Sequence, residues 1–444
     1  MRRQIYTHLK RWEISPSRMP LLVRGARQIG KTYIIELFAK TEFEDYLMIN
    51  FEIQPEYKSC FSTLDPKIIL ERLEFISKKN IVAGKTLLFL DEIQECSEAI
   101  QSLRYFKERY ATLHIIGAGS LLEFTLNEAE FRMPVGRIEF LYMYPLNFSE
   151  FLNALGYEKL IQHLLQANIT SGVDSVAHDQ LLKHLKLFFV LGGMPAVVQA
   201  YINGESLLRC QEIQAFLLNT YRNDFGKYAS RANQQHCRRI FEKAPTLIAK
   251  HFKYSDVDPD AQSRSLKIAL QLLIQAGLLL PIYETKANSL PLNAAINEKK
   301  FKILLVDVGF VNFGTQLNAT VLMQDNLLLT NDGALAEQFV GQELIATQPN
   351  FYEPALYFWQ QNKRNDSAEI DYIIQHQKNI LPIEVKAGKT GRLRSLHAFI
   401  DKHKSAIGIK ISEEPLRFDG KILSLPLYMI SELNRIVDTV VRNE

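Results

Sequence analysis

The chain has 444 residues, 47% of them apolar and 23% charged, and a formal net charge of +3. That composition belongs to ordinary globular domains, with length for about three of them; it excludes a disordered or fibrous chain. The near-neutral balance provides no global field for a polyanion, so any argument for nucleic acid has to be local.

The four cysteines, Cys60, Cys96, Cys210 and Cys237, are far apart and lack CxxC or Cys/His spacing, which reads as buried thiols in a reducing compartment. The start of the chain (MRRQIYTHLKRW) lacks the apolar core of a signal peptide. The apolar stretches around 182–198 and 270–280 are interrupted by polar or turn-forming residues. No membrane partner and a cytoplasmic location are the expectation.

In chain order, the first signal is an apolar run (Leu21, Leu22, Val23), the octapeptide GARQIGKT from Gly25 to Thr32, and a helical stretch over 33–40. This fits the G-x-x-x-x-G-K-[ST] phosphate-binding loop. Gly25, Gln28 and Gly30 shape a backbone that wraps phosphates with its N–H groups at a helix N-terminus. Lys31 is expected at the β- and γ-phosphates and Thr32 at Mg²⁺. A strand is expected over 46–50, and a second, Thr86 to Leu90, ends in Asp91-Glu92. The continuous apolar run suits a parallel strand buried on both faces; Asp91 is the candidate for the Mg²⁺ shell and Glu92 for polarising the attacking water.

Residues 113–116 form a strand leading into Gly117-Ala118-Gly119-Ser120. This places Ser120 at a strand's C-terminal end, where it could sense the γ-phosphate. Gly136-Arg137 precedes another apolar strand over 138–142, and Arg137 is a candidate finger offered to a neighbouring subunit's nucleotide. A turn serine and a solvated arginine are the plainer alternatives.

GARQIGKT, LLFLDEIQE, IIGAGSLLEF, the Gly136-Arg137 pair before YPLNFSEF, and LGGMP (Leu191 to Pro195) together resemble a family. It is that of the bacterial and archaeal AAA-like P-loop ATPases, related to the STAND signalling NTPases, which carry a C-terminal restriction-endonuclease-like domain. The resemblance implies ATP and ADP as ligands. It also implies that Gly193-Met194-Pro195 closes over the adenine, with Pro195 reporting nucleotide state; a helix-breaking turn is the alternative.

Beyond Pro195, Arg222, Lys227, Arg231, Arg238, Arg239, Lys243, Lys250 and Lys253 face only Asp224 and Glu242 within their span. An apolar helix, a stop at Gly277 and a short strand follow. This suggests a winged-helix module touching duplex DNA through phosphates, or else a regulatory lid with solvated basic residues.

The last part carries a second constellation. Glu369-Ile370-Asp371 opens a strand over 372–374, a turn follows, and 381–385 returns as a strand bearing Glu384-Val385-Lys386. Residues two apart on a strand share a face, so Glu384 and Lys386 project together. Asp371 on the paired strand gives two carboxylates for a divalent cation, with Lys386 to orient water and Glu337, on a helix over 333–344, as a third carboxylate. The layout resembles the PD-(D/E)XK nuclease core. Lys389, Arg392, Arg394, Lys402, Lys404 and Lys410, opposed only by Asp401, form a basic patch suited to nucleic acid. An exposed hairpin with paired charges looks the same.

The reading is an α/β chain in three parts: an AAA-like P-loop ATPase over 1–200, a helical and winged-helix domain over 201–290, and a PD-(D/E)XK nuclease-like α/β domain over 300–444. ATP and Mg²⁺ are the expected cofactors, and double-stranded DNA and a homo-oligomer the expected partners.

Overall fold

The computed structural model describes residues 1–126, 136–315, 333–363, 366–386 and 393–441. Five parallel strands, β1 (Leu21–Arg24), β2 (Asp45–Asn50), β3 (Thr86–Asp91), β4 (His114–Gly119) and β5 (Glu139–Tyr142), form a sheet of order β2-β3-β4-β1-β5. Every residue of β3 and β4 is buried, as their unbroken apolar runs require of central parallel strands. Each of these strands delivers its C-terminal end to the same rim of the sheet.

Helices Leu207–Tyr228, Arg231–Leu247 and Ser263–Gln275 lead into a hairpin of β6 (Leu279–Thr285) and β7 (Ile296–Leu305). This hairpin stands where a wing is expected, but its edge is not free. The outer edge of β6 pairs in parallel with β8 (Leu356–Lys363), which continues through β9 (Asp366–His376), β10 (Asn379–Val385), β11 (Gly408–Ser412), β13 (Ile422–Pro426) and β12 (Arg417–Asp419). An open strand edge is a template for pairing, and here β8 satisfies it. The expected division at 290–300 therefore falls inside the hairpin, and one eight-stranded sheet runs across it.

The basic residues of the middle helices are also less free than their spacing suggests. Arg222 pairs with Glu242, Lys227 with Glu52 and Arg239 with Asp258. Glu52 and Asp258 lie outside the basic span and are brought in by the fold.

One apolar core runs from Ile5 through the middle helices to Val440, joining one face of the parallel sheet to the eight-stranded one; a second fills the other face of the parallel sheet. The helix Ala334–Ala346 is buried on nearly all sides and carries Glu343, whose Oε1 accepts from the Phe148 N–H at 2.9 Å. Burial pushes the Glu343 carboxyl up to about 8; the Phe148 hydrogen bond opposes this and the Glu150 charge adds to it. Burial likewise raises Asp307 to about 7 against the N–H groups of Gly193 and Gly309.

A folded-state pKa above the unfolded one means stability that is full below the ordinary carboxylate range and is lost as pH rises towards 7–8. The thermal midpoint should fall from pH 5 to pH 8, at up to about 1.4 kcal/mol per pH unit for each group. Glu343→Gln retains an acceptor for Phe148 and should flatten part of that slope in a pH series of melting curves. A wild-type midpoint level across this window would show both groups already ionised.

Candidate functional site

The loop after β1 is built by close approach. Gly25 has φ +143, and a Cβ there would lie 2.2 Å from the Met143 carbonyl oxygen, so no larger residue fits. Gln28 (φ 64) and Gly30 (φ 92) continue the left-handed turn into the helix Lys31–Glu42. Lys31 Nζ donates to the carbonyls of Gly25 and Ala26, both at 2.8 Å. Burial draws its ammonium down to about 8, while Glu92 and Asp91 act in the opposite sense.

Asp91 ends β3 beside Asn50 of β2. Its Oδ2 accepts from Thr32 Oγ1 and from Asn50 Nδ2, each at 3.0 Å. Burial and the Glu92 charge raise the Asp91 carboxyl, and these hydrogen bonds hold it back. Glu92 has φ 47, a left-handed conformation that costs of order 1 kcal/mol or more in a non-glycine residue and gathers at functional sites. Its Oε2 accepts from Gln94 Nε2 at 2.6 Å and Ser120 Oγ at 3.3 Å. Thr32, Asp91, Glu92 and Ser120 thus converge at one rim.

The residues fit Mg²⁺ with a nucleotide: a hydroxyl and a carboxylate already meet there, and phosphate oxygens can complete a magnesium shell that needs only one or two protein groups. Thr32 and Asp91 would hold the ion.

Pro195 lies against the loop, its Cγ 3.6 Å from where a Gly30 Cβ would sit. Gly193, two residues before it, is clamped. Its N–H donates to Asp307 Oδ2 at 2.6 Å, its carbonyl accepts from Leu146, and a Cβ would meet the Leu146 oxygen at 2.1 Å. Arg137 lies past the N-terminal end of β5, which pairs in parallel with β1. It is therefore at the far end of a four-residue strand, about 13 Å long, from its own phosphate loop. Its Nε pairs with Glu108 at 3.3 Å.

Arg27, inside the loop, was not singled out from sequence. Its Nε donates to Ser120 Oγ at 3.1 Å, its Nη1 to Asp224 Oδ1 at 2.6 Å and its Nη2 to Glu52 Oε2 at 3.3 Å; the Tyr221 hydroxyl donates to its carbonyl at 2.8 Å. Asp224 and Tyr221 belong to the helix Leu207–Tyr228, so the loop and the middle helices share one polar joint.

In the eight-stranded sheet, Tyr372 of β9 faces Ile383 of β10, and Val385 N donates to Asp371 Oδ2 at 2.8 Å. Glu384 is buried, and its Oε1 lies 2.5 Å from Lys386 Nζ. Glu337 and Asp371 meet around a residue the sequence reading passed over. Lys302 Nζ of β7, 2% exposed on its side chain, lies 2.5 Å from Glu369 Oε1, 3.5 Å from Glu337 Oε2 and 3.8 Å from Asp371 Oδ1. His251 Nε2 lies 2.8 Å from the other oxygen of Glu369.

Burial raises Glu337, with Asp371 adding and Lys302 opposing, and burial also raises Asp371. Burial acts upward on Glu369 too, but His251 and Lys302 hold it at about 2. The expected metal trio of Glu337, Asp371 and Glu384 is thus arranged around lysines. Among the described residues no group of three or more His, Cys, Asp or Glu is placed to hold a metal ion, and a divalent cation does not fit this arrangement.

Of the basic patch, Lys410 is buried and pairs with Glu414, and Lys402 lies over the Trp359 ring. Lys389 and Arg392 lie outside the described residues. All four cysteines are buried and free, and among the described residues no helix is long and apolar enough to cross a membrane.

Residues 17–152 match the model of an AAA domain. Residues 182–320 and 332–429 match two domains of unknown function, DUF8612 and DUF4143. No curated protein matches the chain in sequence. Among solved structures the chain is similar to the Walker-type ATPase Paby2304 of Pyrococcus abyssi, at 14% identity and a TM-score of 0.45, covering 71% of this chain and 95% of that one. It is also similar to the Aeropyrum pernix ORC2 protein (14%, 0.32, 72% and 89%) and the Thermotoga maritima RuvB Holliday junction branch migration motor (14%, 0.29, 62% and 87%). With its parallel sheet, phosphate loop and convergent Asp91 and Glu92, the region 17–152 has the architecture of a P-loop domain and is similar to AAA domains.

Proposed function

We propose that the chain binds ATP with Mg²⁺, hydrolyses it to ADP, and uses the change to reposition its middle helices and C-terminal sheet. The observation that carries this is the unbroken polar line Glu92–Ser120–Arg27–Asp224, which starts at the residue placed to activate water and ends on the helix Leu207–Tyr228. Bound magnesium would neutralise phosphate charge. Lys31 would hold the phosphates, Glu92 would take a proton from water, and Ser120 and Pro195 would register whether the γ-phosphate and base are in place. Turnover of ATP by the purified full chain is the direct test, and a chain that neither binds nor hydrolyses ATP overturns this reading.

Arg137, remote from its own loop, suits a role on a neighbour's nucleotide in a homo-oligomer. Turnover per subunit should then rise with protein concentration, and Arg137→Ala should flatten that rise with little change in ATP affinity. Turnover that is independent of concentration in the wild type would return Arg137 to its Glu108 pair.

The C-terminal sheet, with Asp371, Glu384 and Lys386 in a PD-(D/E)XK-like layout, is the effector in this scheme, acting on or gripping double-stranded DNA. Metal-dependent cutting of plasmid DNA by the full chain tests the catalytic form. The position of Lys302 favours the second form, a binding module that does not cut.

A further inference from the structure

The second form raises the question of what holds four carboxylates together in β9, β10 and the helix Ala334–Ala346. Like charges this close destabilise one another unless a cation lies among them. In a nuclease-type centre that cation is a metal, which needs oxygens at about 2.0–2.6 Å. Here an ammonium is placed where it faces three of the carboxylates, Glu369, Glu337 and Asp371. Lys302 is 2% exposed and also lies over the Phe358 ring at 5.5 Å. Freed from these partners it would be a buried charge with nothing to balance it.

The fourth carboxylate, Glu384, has its own ammonium in Lys386, and Asp371 Oδ2 is taken by the Val385 N–H. His251 supplies a further polar contact to Glu369. A divalent ion entering between Asp371 and Glu337 would face the Lys302 charge at close range in a low-dielectric setting.

We propose that the Lys302 ammonium is the resident cation of this cluster and that the C-terminal sheet therefore works without a divalent metal. The proposal rests on the binding-module form of the effector and is independent of the ATPase.

The test is a Mn²⁺ titration of the full chain without nucleotide, followed by the electron paramagnetic resonance of free Mn²⁺, in an Asp91→Asn background that removes the phosphate-loop contribution. With Lys302 in place, no binding should be seen that depends on Asp371. Lys302→Met should create a site at least tenfold tighter than any in its parent, and adding Asp371→Asn should abolish it. Mn²⁺ bound by the Lys302-intact chain and lost on Asp371→Asn overturns the proposal. So does a folded Lys302→Met chain that gains nothing. Should Lys302→Met fail to fold by circular dichroism, the Lys302-intact pair decides alone: Asp371-dependent Mn²⁺ overturns, its absence supports. ATP turnover, measured in parallel on chains with Asp91 intact, bears only on the ATPase reading.

Discussion

Glu92→Gln should bind ATP as tightly as the wild type and hydrolyse it about 10²- to 10⁴-fold more slowly, the range that a positioned general base contributes. The amide can still accept from Gln94 Nε2 and Ser120 Oγ, the two partners of Glu92 Oε2, so the site's shape should survive. What is lost is the capacity to take a proton. Lys31→Ala should fail differently, because its ammonium is the cation that the buried loop offers to the phosphates. Its affinity for ATP should fall by tenfold or more, with turnover falling in consequence. Equilibrium binding of a fluorescent ATP analogue, beside single-turnover hydrolysis, separates the two. Equal single-turnover rates for wild type and Glu92→Gln would remove Glu92 from its role, and normal binding by Lys31→Ala would remove the loop.

The first half of the site was legible because it is local. An eight-residue loop, a strand ending in two acids and a strand ending in Ser120 each lie within one short window. A parallel sheet necessarily brings the C-terminal ends of its strands to one rim. The left-handed backbone of Glu92 was not legible, since nothing in LLFLDEIQE marks it. Arg27 stood in plain view inside the octapeptide, but its partner Asp224 lies 197 residues away, and no periodicity reports a contact of that span.

The second half was read in part. The alternation of β9 and β10 placed Asp371 near Glu384 and Lys386, and the same period-two rule puts Glu369 on the face of Asp371. Lys302 comes from β7, which reaches this region only because β6 pairs in parallel with β8. A parallel partner is chosen by tertiary packing, so the sequence of β7 alone could not indicate it. The basic runs hide pairings for a related reason: Glu52 and Asp258 are brought to Lys227 and Arg239 by the fold, while Lys410 pairs with Glu414 four residues on, so three cations of the expected basic faces are in ion pairs.

Cutting the joint between the loop and the middle helices should be the most informative change outside the chemistry. The Arg27 and Asp224 side chains are only 18% and 10% exposed, so removing one partner leaves the other partly buried and unbalanced. Asp224→Ala should cost up to roughly 3 kcal/mol, towards the lower end for a broken buried pair because Arg27 keeps Glu52 and some solvent. Arg27→Met combined with Asp224→Ala should cost less than the sum of the single changes, since neither charge is then left alone.

A merely structural pair would show this coupling and nothing more. A relay predicts in addition that the double variant keeps its ATP affinity within a few-fold while losing the ATP-dependent change in protease protection, or in amide exchange, along Leu207–Tyr228. The reason is that Arg27 touches Ser120 on one side and that helix on the other. If ATP altered the protection of that helix equally in wild type and double variant, the signal would have to reach it by another route, with the clamp of Asp307 on Gly193 the next contact to break.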